Sequence, residues 1–474
     1  MKIEQIYTGC LAQGAYYIES EGEAAVIDPL REVSPYIEKA NKNGANIKYV
    51  FETHFHADFV SGHLDLSQKT GAPIVYGPHA QTGFEAHIAT DGELFQVGNL
   101  AIKVLHTPGH TMESTCYLLF DEQGKEKALF SGDTLFIGDV GRPDLAQKSD
   151  LTVDDLAGYL YDSLREKIMT LPDEVIVYPA HGAGSACGKN MSKETTDTLG
   201  NQKKFNYALR ANMTKEEFIK EVTDGLAKPP QYFPQNVMMN KEGYESIDVV
   251  MKRAAQALSP AAFEAAANET GAVVLDTRPA QVFNKGFIPN SINIGLGGQF
   301  APWVGALIPD VKQELLLVTE IGQEQETILR LARVGYDNVI GYLEGGFETW
   351  VNANDEIDSI TSIPANELAD VLENQPDALI IDVRKPSEFA AEHVDGAKNL
   401  PLDYISELMA EFPKDQTMYI HCAGGYRSMM AASILKSRGY DNLVDIDGGF
   451  GAIQKSGRFK TTDYVCPSTL KNQK

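Results

Sequence analysis

Two stretches of this chain hold residues whose types and spacing can do chemistry. The first, THFHADFVSGH (residues 53–63), sets His54, His56 and Asp58 at alternate positions. It follows the metal-binding pattern HxHxDH, except that Phe59 stands where the last histidine belongs. Two readings follow: a metal site that has lost a ligand, or a site built for one metal and a different reaction. Three later segments end in groups of the same kind, HTPGH at His110, SGD at Asp133 and YPAH at His181. Imidazole and carboxylate together suit a first-row transition metal. The second stretch, HCAGGYRS (421–428), puts Cys422 after an apolar run, in a glycine loop that opens a helix. Backbone N–H groups in such a loop converge on one point, and the helix N-terminus adds positive potential. Both favour a thiolate or a terminal persulfide anion, and Arg427 adds a fixed charge.

Such groups need rigid elements to place them. IKYVFETH, LAIKVLHTPGH, KALFSGD and EVIVYPAH each read as a strand that delivers a ligand from its C-terminal end. Eight of the ten histidines precede residue 182, so the metal chemistry belongs to the first part of the chain. Residues 191–227 turn helical and polar, with Thr214 and Glu217 forming a capping box. KPPQYFPQN (228–236) reads as a loop or linker.

The remainder is an internal repeat. Residues 258–294 resemble 362–400, and 334–347 resemble 438–450. Each copy reads helix, buried strand, turn, helix, strand, loop, helix, strand, which implies a small α/β domain with a parallel sheet. Where the second copy has MYIHCAGGYRSMMAASIL (418–435), the first has LLLVTEIGQEQETILRLA (315–332). The fold signals persist without the cysteine and its Gly-Gly-Tyr-Arg loop, so chemistry belongs to the second copy.

Bulk properties narrow the function classes. A chain of 474 residues exceeds one hydrophobic core and calls for several domains. A net charge of −25 argues against nucleic acid and anionic membrane surfaces as partners. No apolar run approaches the roughly 20 residues of a membrane span, and the N-terminus lacks signal-peptide features. Five scattered cysteines suit a reducing cytoplasm.

The repeat, its DVR and GGF signatures and the HCAGGYRS loop resemble the rhodanese family of sulfurtransferases. Related cysteine phosphatases separate Cys and Arg by five residues, whereas four lie between Cys422 and Arg427. The resemblance therefore implies sulfur transfer, with Cys422 as persulfide carrier. The metal motifs, in their order, resemble the metallo-β-lactamase fold, an αββα sandwich with metals at one edge. In its dinuclear hydrolases a second metal would use Asp58, a histidine at position 59, Asp133 and His181. Phe59 weakens that second site. The pattern resembles the persulfide dioxygenases of this fold, which implies one Fe(II) held by His54, His110 and Asp133. Two histidines and a carboxylate leave three positions open for substrate and O₂. By the same resemblance His56, Asp58 and His181 stand beside the metal, as orienting groups or extra ligands. Arg142 would contact substrate with Asp144 supporting it, and Tyr178 would lie near the site. Cys187 is either an ordinary buried residue or a relay for sulfane sulfur. His63, His79, His87 and His106 match no ligand position.

The order of parts resembles bacterial persulfide dioxygenase–sulfurtransferase fusions. It implies an α/β multidomain chain: an αββα sandwich with a helical extension (1–250), an inactive rhodanese-like domain (258–352), an active one (361–458) and a tail (459–474). The implied activity oxidises a low-molecular-weight persulfide, of glutathione, coenzyme A or a similar thiol, to sulfite with O₂. Cys422 either passes a sulfane sulfur taken from another persulfide to sulfite, giving thiosulfate, or, in the reverse order, makes the persulfide that the iron oxidises; the same residues serve both. A cytoplasmic homo-oligomer is expected. The rival readings are a zinc thioesterase of the glyoxalase II kind, disfavoured by Phe59, and a sulfur-binding adaptor without catalysis.

Overall fold

The structure is a computed structural model and describes residues 1–145, 151–353 and 356–466. The chain forms two compact units. One holds residues 1–250 with 309–311 and 329–336, the other residues 251–308, 312–328 and 337–474.

The first unit is built on two six-stranded sheets. One runs, in order across the sheet, Lys2–Thr8, Gln13–Ser20, Glu23–Ile27, Asn46–Phe51, Ile74–Tyr76 and His87–Ile88. The other runs Asp197–Thr198, Ile176–Pro179, Glu126–Gly132, Thr115–Phe120, Leu100–His106 and Leu94–Val97. Successive side chains of a strand face opposite ways, and these strands are apolar on both faces. Tyr16, Ile18 and Phe51 of the first sheet meet Ile102, Tyr117 and Phe130 of the second in a central layer. The intervening Ala15, Tyr17 and Val50 pack instead with Tyr36, Ala40 and Leu66. These three belong to the helices Ser34–Asn43 and His63–Thr70. On the other side Cys116, Leu118 and Leu129 pack with Leu160 and Phe218, from the helices Val153–Ser163 and Lys215–Thr223. Three apolar layers between four structural layers make an αββα sandwich.

Thr214 caps the helix Lys215–Thr223 as its sequence indicates, its hydroxyl accepting from the Glu217 amide while Glu217 accepts from the Thr214 amide. The segment 228–236 departs from the linker expectation. Its second half starts the helix Phe233–Glu242, with Tyr232 and Phe233 buried. Pro234 sits in the first turn, where a missing N–H costs no helical hydrogen bond.

The second unit contains two five-stranded parallel sheets of one topology. The first is ordered Ala257–Leu258, Val339–Leu343, Leu315–Val318, Val273–Asp276, Ile292–Asn293. The second is ordered Thr361–Pro364, Leu443–Asp447, Met418–His421, Leu379–Asp382, Lys398–Asn399. Of the segment 459–474, residues Thr461–Val465 pair with Ala391–Val394, while 467–474 lie outside the described residues. No helix among the described residues is long and apolar enough to cross a membrane.

Candidate metal centre and cysteine loop

Four strand ends converge at one edge of the sandwich. His54 follows Asn46–Phe51, His110 follows Leu100–His106, Asp133 follows Glu126–Gly132 and His181 follows Ile176–Pro179. Backbone bonds tie these ends together, Thr115 N to Thr53 O (2.9 Å) and Ala180 N to Gly132 O (3.0 Å). Gly132 has φ +52°, and a β-carbon there would stand 2.7 Å from Thr53, so the approach of the two strand ends requires glycine.

His54, His110 and Asp133 bring one ligand atom each to a common point, all three buried. His54 Nε2 lies 3.7 Å and His110 Nε2 3.5 Å from Asp133 Oδ2, which has no hydrogen-bond partner among the described residues. Those separations are long for hydrogen bonds and fit atoms sharing one ion, since ligands about 2.1 Å from a metal stand roughly 3 to 4 Å apart.

The remaining atom of each group is committed elsewhere. The Thr53 hydroxyl donates to Asp28 Oδ2 (2.8 Å) and therefore accepts from His54 Nδ1 (2.9 Å). His110 Nδ1 donates to the Arg142 carbonyl (2.8 Å), and Asp133 Oδ1 accepts from His181 Nδ1 (2.7 Å). Each tautomer leaves Nε2 of His54 and His110 with its lone pair toward the centre. Burial, with His56 alongside, pushes the His54 pKa well down and keeps the ring neutral, the form that ligates a metal. For Asp133, burial pushes the pKa up, but His181, His54 and His110 outweigh it and hold the carboxyl far below its usual range.

The other expected residues stand close by. His181 is flanked by Asp133 and by Asp58, whose Oδ2 lies 2.9 Å from His181 Nε2 at an angle that makes no hydrogen bond. Burial lowers the His181 pKa, but the two carboxylates raise it well above the ordinary value. Cys187 joins Asp58 and His181 in a second buried trio. Burial and the carboxylates of Asp58 and Asp133 push its thiol pKa well up. His56 Nε2 faces Asp28 (3.2 Å) and Glu52 (3.6 Å). Phe59 is fully buried, its ring 4.4 Å from His56 and 6.3 Å from His181 between centroids. Arg142 is buried. Its guanidinium donates twice to Asp144 and also to the carbonyls of Ala186 and Ala227. Tyr178, by contrast, packs in the layer between the sheets, where it stacks on Phe130 and meets Tyr16 edge-on. Of the histidines that match no ligand position, His63 is fully buried near Glu52, and burial pushes its pKa down to about 3.

Sequence reasoning passed over several residues that shape this centre. Asp28 and Thr53 fix the His54 tautomer. Asn240, on the helix Phe233–Glu242, donates to the carbonyls of His56 and Phe59 (both 2.8 Å) and accepts from the Ser61 amide (2.9 Å). Asp28 ends the run AAVIDP, a polar residue closing an apolar strand, so the signal that found Asp133 applies to it too. Asn240 carries no such signal.

In the second unit, Cys422 follows the strand Met418–His421 and leads into the helix Tyr426–Ser437. Gly425, at φ +96°, turns its amide onto Cys422 Sγ (3.1 Å). The loop is held from the GGF segment: Phe450 N donates to Cys422 O (2.7 Å) and Gly451 N to Ala423 O (3.0 Å). Arg427 forms a two-pronged ion pair with Glu388 (2.6 and 2.8 Å), an acid the sequence did not single out.

Residues 8–181 match the metallo-beta-lactamase superfamily, and residues 259–353 and 364–456 each match the rhodanese-like domain. A probable hydroxyacylglutathione hydrolase of Schizosaccharomyces pombe is 32% identical over 34% of this chain, a match spanning 60% of that protein. The mitochondrial persulfide dioxygenase ETHE1 of Homo sapiens is 32% identical over 44% of this chain and 75% of its own length. The crystal structure of a metallo-beta-lactamase from Staphylococcus aureus subsp. aureus COL superposes with a TM-score of 0.63. It is 32% identical and covers 73% of this chain and 98% of that one.

Proposed function

We propose, for a chain that belongs to the metallo-β-lactamase superfamily and carries two rhodanese-like domains, that it is a persulfide dioxygenase coupled to a sulfurtransferase. The observation that carries the first half is the convergence of His54, His110 and Asp133 on one point with every other polar atom of the three engaged. A second metal would need His181 and a histidine at 59. Asp58 and Asp133, the carboxylates of that second site, do flank His181, but the buried ring of Phe59 fills the place of its other histidine. One ion with open positions suits redox chemistry on two small substrates better than dinuclear water activation. A bound Fe(II) would supply the electrons' path between O₂ and the terminal sulfur.

The chain's residues supply the rest. His54, His110 and Asp133 present a fixed face, with Thr53, the Arg142 carbonyl and His181 holding each in its orientation. Phe59 and Phe136 set apolar rings edge-on beside His181. Arg142, braced by Asp144, would contact the persulfide and orients His110 through its own carbonyl, and Cys187 lies beside Asp58 and His181. The overall change is RSSH + O₂ + H₂O → RSH + SO₃²⁻ + 2H⁺. In the second unit the Gly425 N–H and the charge of Arg427 favour an anionic sulfur on Cys422. A second persulfide loads the cysteine, RSS⁻ + Cys422–S⁻ → RS⁻ + Cys422–S–S⁻, and Cys422–S–S⁻ + SO₃²⁻ → Cys422–S⁻ + S₂O₃²⁻ completes the sequence, one S–S bond breaking as the next forms in each step.

O₂ uptake and product analysis with glutathione persulfide test the proposal, together with metal analysis. Wild type should consume O₂ and yield thiosulfate, and Cys422→Ser should yield sulfite without thiosulfate. A zinc protein that takes up no O₂ but hydrolyses a glutathione thioester would overturn the first half. Unchanged thiosulfate in Cys422→Ser would overturn the second.

A further inference from the structure

The rhodanese-like copy without a cysteine reaches the Cys422 loop of the other copy at several points. Tyr426 opens the helix Tyr426–Ser437 and directly follows Gly425, whose amide meets the sulfur. Its hydroxyl donates to the carbonyl of Gly295 in the cysteine-less copy (2.8 Å). Its ring lies on the glycine run 295–298, GLGG. A β-carbon at Gly295 would stand 3.3 Å from Tyr426 Cε2, and one at Gly298 3.8 Å from Cε1 and Cζ. A side chain at Gly295 would crowd the ring, and Gly298, at φ +72°, holds a backbone turn that favours glycine, so the glycines make the seat.

A second contact reaches the other wall of the loop. Gln281 of the cysteine-less copy donates to Asp447 Oδ1 (2.8 Å). The same nitrogen stands 3.9 Å from the position a β-carbon on Gly425 would take. Asp447 leads into Gly448 and Gly449, and the residues that follow hold the carbonyls of Cys422 and Ala423. A third contact is deeper: Asn293 N donates to Ser433 Oγ (2.9 Å) on the helix that Tyr426 begins. The glycine run has no counterpart in the other copy, where Leu400, Pro401 and Leu402 follow the equivalent strand.

We infer that Tyr426 is a positioning residue, seated on Gly295–Gly298 of the cysteine-less copy, that sets the Gly425 amide against the Cys422 sulfur. The cysteine-less copy then acts on sulfur transfer without touching the reacting atoms. This rests on the reading of Cys422 as sulfur carrier. An N–H aimed at the sulfur stabilises the anion, so a loop freed from its seat holds a less acidic thiol and a less stable persulfide.

The test uses the full-length protein with Tyr426→Phe, which removes only the hydroxyl bond, and Gly295→Val, which crowds the ring from the other copy. Two readouts are taken: the pH profile of Cys422 alkylation by iodoacetamide, followed on the Cys422 peptide by mass spectrometry, and sulfur transfer from glutathione persulfide to sulfite. Both variants should move the alkylation midpoint upward by about half to one pH unit. They should lower kcat roughly fivefold with KM unchanged, while O₂ uptake stays at the wild-type rate. Wild-type profiles and transfer rates in Tyr426→Phe overturn the inference, even if Gly295→Val fails to fold. Absence of sulfur transfer by wild type would instead overturn the carrier role of Cys422, and the alkylation profile would still decide the role of Tyr426.

Discussion

Asp445 lies fully buried on the strand Leu443–Asp447, with Ser362 donating to one oxygen (3.0 Å) and no hydrogen-bond partner on the other among the described residues. Burial raises its pKa from 3.8 to about 6, with the hydroxyls of Ser428 and Ser362 opposing and Asp447 adding. The folded protein thus prefers the neutral acid more strongly than the unfolded chain does. The resulting stability is fully present below about pH 4 and is lost as pH rises through about 6. At pH 8 the loss is about 3 kcal/mol, from roughly two units at 1.36 kcal/mol each. Asp445→Asn keeps an acceptor for Ser362 and removes the buried charge, while its amide brings a donor that costs about 1 kcal/mol if unpaired. A net gain of about 2 kcal/mol is expected at pH 8, and a small loss at pH 4. Calorimetry of both proteins at the two pH values reads this out, with hydrogen exchange of Met418–Ser437 locating the effect in the second unit. The difference between variant and wild type cancels other groups that titrate in acid. A difference that is the same at pH 4 and pH 8 would refute the reasoning.

Three further outcomes concern the metal centre. Phe59→His should raise bound metal toward two per chain in excess zinc without increasing O₂ uptake with persulfide; a native protein that already holds two metals at this edge defeats the argument from Phe59. Thr53→Val breaks the chain from Asp28 to His54 Nδ1, and metal retention against a chelator should fall by roughly 10- to 100-fold. Unchanged retention would show that the His54 tautomer needs no such support. Removal of metal should lower the unfolding midpoint of the first unit and leave the second unmoved, because only the state that binds the ion gains from it. A shift in both units would contradict that assignment.

The sandwich and the position of its candidate ligands were legible because two regular signals coincide: short apolar runs that read as buried strands, and polar residues at their C-terminal ends. His54, His110, Asp133 and His181 all follow that rule. What holds them did not show, because the holding groups come from elsewhere in the chain. Asn240 pins the turn that carries His56 and Phe59 from a helix some 180 residues later. Glu388 reaches Arg427 from the other side of a parallel sheet. The segment 228–236 misled for a local reason. Its prolines look like breaks, yet Pro234 suits the first turn of the helix that carries Asn240.

The two rhodanese-like copies separate what their shared signatures do from what Cys422 does. In one copy Arg278 pairs with Asp276 and lies 4.0 Å over the Phe347 ring; in the other Arg384 pairs with Asp382 and lies 3.9 Å over Phe450. Asn293 and Asn399 bind equivalent carbonyls in the two copies. The D-x-R and GGF signatures are therefore a buried clamp that the fold needs with or without chemistry. Gly322, at φ +86°, even keeps the backbone of Gly425. Among the matched positions at which the copies part are Thr319 for Cys422, Glu324 for Arg427 and Val282 for Glu388; the last two of these pair in the second copy. The last two changes are linked by charge. An acid at 282 would face Glu324 rather than an arginine, and a like-charge pair there would be unfavourable. With no arginine at 324 an acid at 282 would have no partner, so the pairing of Arg427 with Glu388 goes with the Cys422 loop and not with the domain fold.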